Sequence, residues 1–122
     1  MKKVTDIYLS GSCNPKLNSG SYKVLVVDIE DNKELLSKKD YCTSVNQILL
    51  KGLVEALSMC SNDTEVTVHA NTSLGWRNVK KSKNKDWIEK IQGICKLRNI
   101  NLDIREKEDL GFLKDLIKAY SL

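Results

Sequence analysis

Residues 7–27 read IYLSGSCNPKLNSGSYKVLVV. The stretch reads as strand, tight polar turn, strand. Val4–Ser10 is rich in β-branched and aromatic residues, which favour a strand. Asn14-Pro15 and Asn18-Ser19-Gly20 supply turn chemistry, because Gly and Asn tolerate positive φ and Pro fixes it. Ser21–Ile29 is the second strand, with Val24–Val27 buried on at least one face. Working outward, Glu30-Asp31-Asn32 makes a polar turn into a more polar third strand, Leu35–Cys42. Lys38 and Lys39 suit an edge, where charge discourages pairing with another chain. Three strands joined by short turns imply an antiparallel meander.

Thr43 or Ser44 then offers a helix N-cap. Ile48, Leu49, Gly52, Leu53, Ala56, Leu57 and Cys60 follow at three- and four-residue spacing, which predicts an amphipathic helix of about four turns. Gly52 inside it costs about 1 kcal/mol relative to Ala unless a close approach requires it. Glu65–Ala70 alternates as a strand with Val66 and Val68 on one face, and a right-handed crossover puts it parallel to the first strand. Arg77–Lys85 carries Arg77, Lys80, Lys81, Lys83 and Lys85 and no acid. Trp87, Ile88, Ile91, Ile94, Cys95 and Leu97 mark a second helix. Asn99–Arg105 holds a last strand, and Leu110–Tyr120 a closing helix, apolar at Leu113, Leu116, Ile117 and Tyr120. The order is βββαβαβα. It predicts one α/β domain over 1–122, a five-stranded mixed sheet of a meander plus two parallel strands, flanked by helices.

A chain of 122 residues buries roughly two thirds of its unfolded surface, enough for one core. With 41% hydrophobic and 30% charged residues it is not a disordered chain. The net charge of +4 fits an anionic partner without requiring one. The start, MKKVTDIYL, lacks the apolar core and cleavage site of a signal peptide, and no stretch approaches the ~20 apolar residues of a membrane span. These features predict a cytoplasmic protein without membrane contact. Cys13, Cys42, Cys60 and Cys95 form no C-x-x-C pair and His69 is the single histidine, which argues against structural zinc and for four reduced thiols. His69 reads as strand decoration, having no acid or nucleophile in its motif.

The element order and several local landmarks resemble the ribonuclease H family. Ser10-Gly11-Ser12-Cys13 resembles the family's Asp-Gly-Ser on the first strand. Residues 43–49 (TSVNQIL) are similar to its Thr-Thr-Asn-Asn-Arg-Met-Glu helix entrance, and residues 66–72 (VTVHANT) to its strand ending in Thr-Asp-Ser. Trp76 with the following lysines, then Lys85-Asp86-Trp87, resembles the basic connection and Asp-Leu-Trp helix start of bacterial members. The resemblance implies a ribonuclease H-like fold and, in active members, two Mg²⁺ ions about 4 Å apart held by carboxylates. The matching positions here are Ser10, Leu49 and Asn71, so the resemblance implies a degenerate member with no metal site.

Binding can outlast cleavage. The resemblance points to a nucleic-acid partner, an RNA–DNA hybrid or duplex, contacted through a basic loop. The candidate residues are Asn14, Asn18, Ser44, Asn46, Gln47, Trp76, Arg77, Lys80, Lys81, Lys83 and Lys85. Short polar groups at a turn and a helix N-terminus suit sugar and phosphate oxygens, and aromatic surface beside cations suits nucleic acid. The same residues equally read as ordinary caps, turn residues and a solvated lysine loop over packed tryptophans. Two further readings stay open: a protein-interaction or inhibitor module on a dead nuclease scaffold, and residual Mg²⁺-dependent ribonuclease H activity through Asp28, Glu65, Asp109 or Asp115.

Overall fold

A computed structural model of the chain describes residues 3–28, 30, 32–72, 74–81, 83–106 and 109–120. The elements run β1 (Lys3–Asn14), β2 (Ser19–Asp28), β3 (Lys33–Tyr41), α1 (Val45–Ser58), β4 (Thr64–His69), a 3-10 helix (Trp76–Lys81), α2 (Lys85–Arg98), β5 (Asn101–Arg105) and α3 (Leu110–Tyr120). One sheet orders them β3-β2-β1-β4-β5. The β1–β2 and β2–β3 pairs are antiparallel, and β1–β4 and β4–β5 are parallel. The expected mixed sheet is therefore present, with β3 and its exposed Lys38 and Lys39 on one edge.

The opening hairpin is tighter than the turn residues suggested. Ser12, Cys13 and Asn14 keep pairing with Ser21, Gly20 and Ser19, so only 15–18 turn. The amides of Leu17 and Asn18 close that turn on the carbonyls of Asn14 and Pro15, with Asn18 at φ 50°. After β2, Asp28 Oδ1 accepts the Glu30 and Asn32 amides at 2.9 Å each. Ile29 and Asp31, assigned to that strand end and turn from sequence, lie outside the described residues.

Helix α1 builds the core. Ser44 caps it, its Oγ accepting the Gln47 amide at 3.2 Å, and Gln47 Oε1 accepts the Thr43 amide at 2.7 Å. Ile48, Leu49, Leu50, Leu53, Ala56 and Leu57 are fully buried, because the sheet covers one side of the helix and α2 another. Each such leucine contributes about 1.5–3 kcal/mol by burial. Gly52 is what lets the helix sit down: a Cβ there would meet the Tyr22 ring at 3.0 Å and Val24 Cγ2 at 3.1 Å. At the far end the Arg98 guanidinium donates to the carbonyls of Leu57 and Cys60, a cation where α1 leaves carbonyls unpaired.

The expectation of four reduced thiols is corrected. Cys13 and Cys42 are disulfide-bonded, with Cα atoms 6.2 Å apart. Their separation of 29 residues carries no signal in sequence, but the meander brings the ends of β1 and β3 to opposite sides of β2. Between them lies Gly20, paired with Cys13 on one side and Asp40 on the other. A Cβ on Gly20 would stand 2.7 Å from Cys42 Sγ, so the missing side chain makes room for the bridge. Closing a loop of this length stabilises a fold by about 3–4 kcal/mol. Cys60 and Cys95 remain free and buried. Burial pushes the Cys60 thiol up to about 11 and raises that of Cys95, against the pull of Arg98. No described helix is long and apolar enough to cross a membrane.

Two measurements check this packing. Gly52→Leu is expected to lower unfolding free energy in urea by about 1–3 kcal/mol through overpacking. Gly93→Ala, on α2 with nothing within 4 Å of the new Cβ, is expected to raise it by up to about 1 kcal/mol. Thiol labelling at pH 8 should find almost no fast-reacting cysteine in the native protein and two after denaturation. Two more should follow only after reduction; four without reductant would contradict the bridge.

Candidate functional site

The sheet has two differently used faces. Along β1, Leu9, Gly11 and Cys13 alternate onto the α1 side, where a Cβ on Gly11 would lie 3.1 Å from Leu49 Cδ2. Asp6, Tyr8, Ser10 and Ser12 alternate onto the other side, which α3 covers in part with buried Leu113 and Ile117.

Of the three positions that the resemblance matches to metal-binding acids, two follow the same pair of strands. The β1–β4 ladder ends at the couple Tyr8–His69, and Ser10 and Asn71 each lie two residues beyond it. Leu49 is fully buried against Gly11 and offers no ligand atom. Two of the acids considered as substitutes, Asp28 and Glu65, lie toward the other end of β1. Asp28 pairs with Thr5 and Glu65 with Val4, about 16 and 20 Å along β1 from Ser10 at about 3.3 Å per residue. Asp109 Oδ1 accepts the Phe112 amide at 2.8 Å at the head of α3, and Asp115 is exposed on that helix. What α3 presents to Ser10 is instead Lys114, Ile117 and Lys118, one helical face at spacings of three and four. With Ser10, Ser12, Ser21 and Lys23 they line an open groove of about 430 Å³, and none of its described lining residues is acidic. Among the described residues no three His, Cys, Asp or Glu side chains converge. Hydroxyls, an amide and ammonium groups do not fit a pair of hard divalent cations.

The polar residues proposed for nucleic-acid contact have structural partners. Asn14 Oδ1 accepts the Lys16 amide at 3.1 Å, and the Asn18 carbonyl accepts the Cys42 amide at 3.2 Å. Ser44 and Gln47 are occupied in the α1 cap, and Asn46 Oδ1 accepts the Thr72 hydroxyl at 2.7 Å, tying the head of α1 to the chain after β4. The basic stretch is not an open loop. Residues 76–81 form a 3-10 helix, and Lys85 begins α2, where it lies 3.7 Å from Glu89. Lys80, Lys81, Lys83 and Lys85 are exposed, and the Arg77 side chain lies outside the described residues. Trp76 and Trp87 are half-buried against the core.

Sequence reading missed two cations beside Trp87. Lys51 Nζ, from α1, lies 5.6 Å from the centre of its ring and 5.4 Å from that of Tyr41; Lys90 Nζ lies 5.2 Å from Trp87. Lys51 also donates to the Tyr41 carbonyl at 2.6 Å and stands 3.6 Å from Asp40. The spacing Asp86-Trp87…Lys90 puts the last pair on one helical face, but only the fold supplies Lys51. His69 is also more than strand decoration. Its Nε2 lies 3.0 Å from Asp6 Oδ1, and its ring stacks on Tyr8 with centroids 4.5 Å apart. The pair crosses from β4 to β1 and stitches the parallel ladder from its polar face.

No protein-family model matches this sequence, and no curated protein matches it. The fold has clear counterparts. A ribonuclease H1 isolated from compost by a metagenomic approach superposes with a TM-score of 0.66 at 20% identity, covering 99% of both chains. The ribonuclease H1 of the halophilic archaeon Halobacterium salinarum NRC-1 gives 0.67 at 12% identity over 93% of both. The N-terminal ribonuclease H domain of rv2228c from Mycobacterium tuberculosis gives 0.67 at 14% identity over 91% of both. With the strand order, the parallel β1–β4 crossover and the three helices, these likenesses establish that the chain has the ribonuclease H-like fold.

Proposed function

We propose that this domain binds nucleic acid, an RNA–DNA hybrid or duplex, without cleaving it. The observation that carries this reading is the group around Trp87. A half-buried indole is flanked by Lys51 and Lys90, next to the exposed Lys80, Lys81, Lys83 and Lys85. Aromatic surface edged by cations is what a phosphodiester chain with stacked bases requires. Three solved structures that share the fold are ribonucleases H, which makes a hybrid the first ligand to test. Asn14, Asn18, Ser44, Asn46 and Gln47 serve chiefly to set the turn and helix that frame this face, given their internal hydrogen bonds.

Loss of cleavage is supported by the residues at the end of β1. At the positions that the resemblance matches to magnesium-binding carboxylates the chain has a hydroxyl, a buried leucine and an amide, and lysines line the groove beside Ser10. The charge there repels Mg²⁺ rather than compensating its dehydration. Asp28 and Glu65 sit at the other end of β1, which counts against residual activity through them. The reading as a protein-interaction module lacks a comparable observation. The exposed large apolar residues Val4, Leu17, Tyr41, Val45, Leu97 and Phe112 are spread over β1, the first turn, β3, α1, α2 and α3.

A fluorescent RNA–DNA hybrid titrated between about 50 and 200 mM salt tests the proposal. Five phosphate contacts predict a log–log salt slope of about −4 to −5, and Lys80→Gln with Lys81→Gln should flatten it by about 2. The hybrid should stay intact with Mg²⁺ or Mn²⁺. Affinity indifferent to both substitutions would overturn the binding face, and cleavage abolished by Asp109→Asn or Asp115→Asn would overturn the loss of catalysis.

A further inference from the structure

The groove between the β1–β2 hairpin and α3 has a chemistry of its own. Ser10 pairs with Lys23 and Ser12 with Ser21 in the antiparallel register, so these four side chains share the sheet face that α3 covers. Lys114 and Lys118, one turn apart on α3, line the same groove from above. The ammonium groups of Lys23 and Lys114, from two separate elements, thus border one concavity of about 430 Å³, together with three hydroxyls and no acidic lining residue among those described. Like charges gathered on a concave surface repel one another, and the field they focus there attracts an anion. The hydroxyls add short donors at the same place. The apolar side chain among the described lining residues is Ile117, and none of them carries an aromatic ring to stack a base or hold an apolar ligand.

We infer that this groove is a phosphate site, taking a tetrahedral phosphate between Lys23 on the sheet and Lys114 on α3, with Ser10, Ser12 and Ser21 as hydroxyl donors. Ammonium groups bind phosphate as point charges, and charge-assisted hydrogen bonds are roughly twice as strong as neutral ones. The site lies on the opposite sheet face from α1, to which α2 and its Trp87 group are packed, so it does not depend on the nucleic-acid reading above. The phosphate can come free from solution or as the diester of a nucleic-acid backbone; the chemistry at the groove is shared.

Amide chemical shifts of the ¹⁵N-labelled protein, followed at constant ionic strength, test the inference. Inorganic phosphate or the dinucleotide dTpdT should produce saturable shifts confined to residues 10–12, 21–23 and 114–118. Saturation by the dinucleotide at lower concentration identifies a backbone source, and saturation by inorganic phosphate alone identifies a free one. Lys23→Gln with Lys114→Gln should weaken either titration about tenfold or more. Lys114→Gln alone, at an exposed helical position, repeats the test if the double variant does not fold. Lys80→Gln with Lys81→Gln should leave these shifts unchanged, so failure of hybrid binding and failure of this site are separate results. Shifts that do not saturate, fall elsewhere, or survive the Lys23 and Lys114 substitutions would overturn it.

Discussion

The close crossing of α1 over the hairpin strands sets the geometry of everything else. Gly52 rests on Tyr22 and Val24, and Leu49 rests on Gly11, so the helix axis lies nearer the sheet than two full side-chain layers would permit. That spacing buries one side of α1 completely and leaves α2 to close the other. It also fixes the surroundings of Leu49, the position that the resemblance matches to a metal-binding acid. A leucine there is drawn into the core and adds to the helix–sheet contact. A carboxylate at the same depth would need a cation beside it to offset its desolvation. Leu49 needs no such partner and packs without condition.

The same substitution logic extends to the opposite sheet face. Ser10 carries no charge, and the helix that closes the chain turns lysines rather than acids toward it. Ammonium and hydroxyl groups at this end of the sheet suit an anion better than a cation. The Cys13–Cys42 bridge braces this end, tying the strand that bears Ser10 to the chain two residues before the α1 cap. Since Gly20 gives way beneath the bridge, the hairpin, disulfide and cap form one rigid corner.

Much of this was legible from periodicity. Spacing at three and four located α1 and α2, alternation located β4 and β5, and the turn residues implied the meander. Gly52 was legible too, because an interior helix glycine without a turn to explain it signals a close neighbour. What escaped was whatever depends on register between strands distant in sequence. Cys13 meets Cys42 only across Gly20, His69 meets Asp6 only through the parallel ladder, and Lys51 meets Trp87 only because α1 and α2 pack together. The groove was hidden for the same reason: Lys114 and Lys118 are unremarked surface lysines until α3 lies over Ser10 and Lys23. The basic stretch was recognised, but its 3-10 helical form was not, since short helices of this kind lack a strong periodic signature.

The central proposal is that the ribonuclease H-like fold here carries an end of the sheet that does not attract divalent cations. Paramagnetic broadening by Mn²⁺, read amide by amide on the ¹⁵N-labelled protein, addresses it directly. The account predicts no selective loss of signal at Ser10, Gly11, Leu49 or Asn71 as Mn²⁺ is raised. Selective, saturable broadening of those amides, competed away by Mg²⁺, would contradict it.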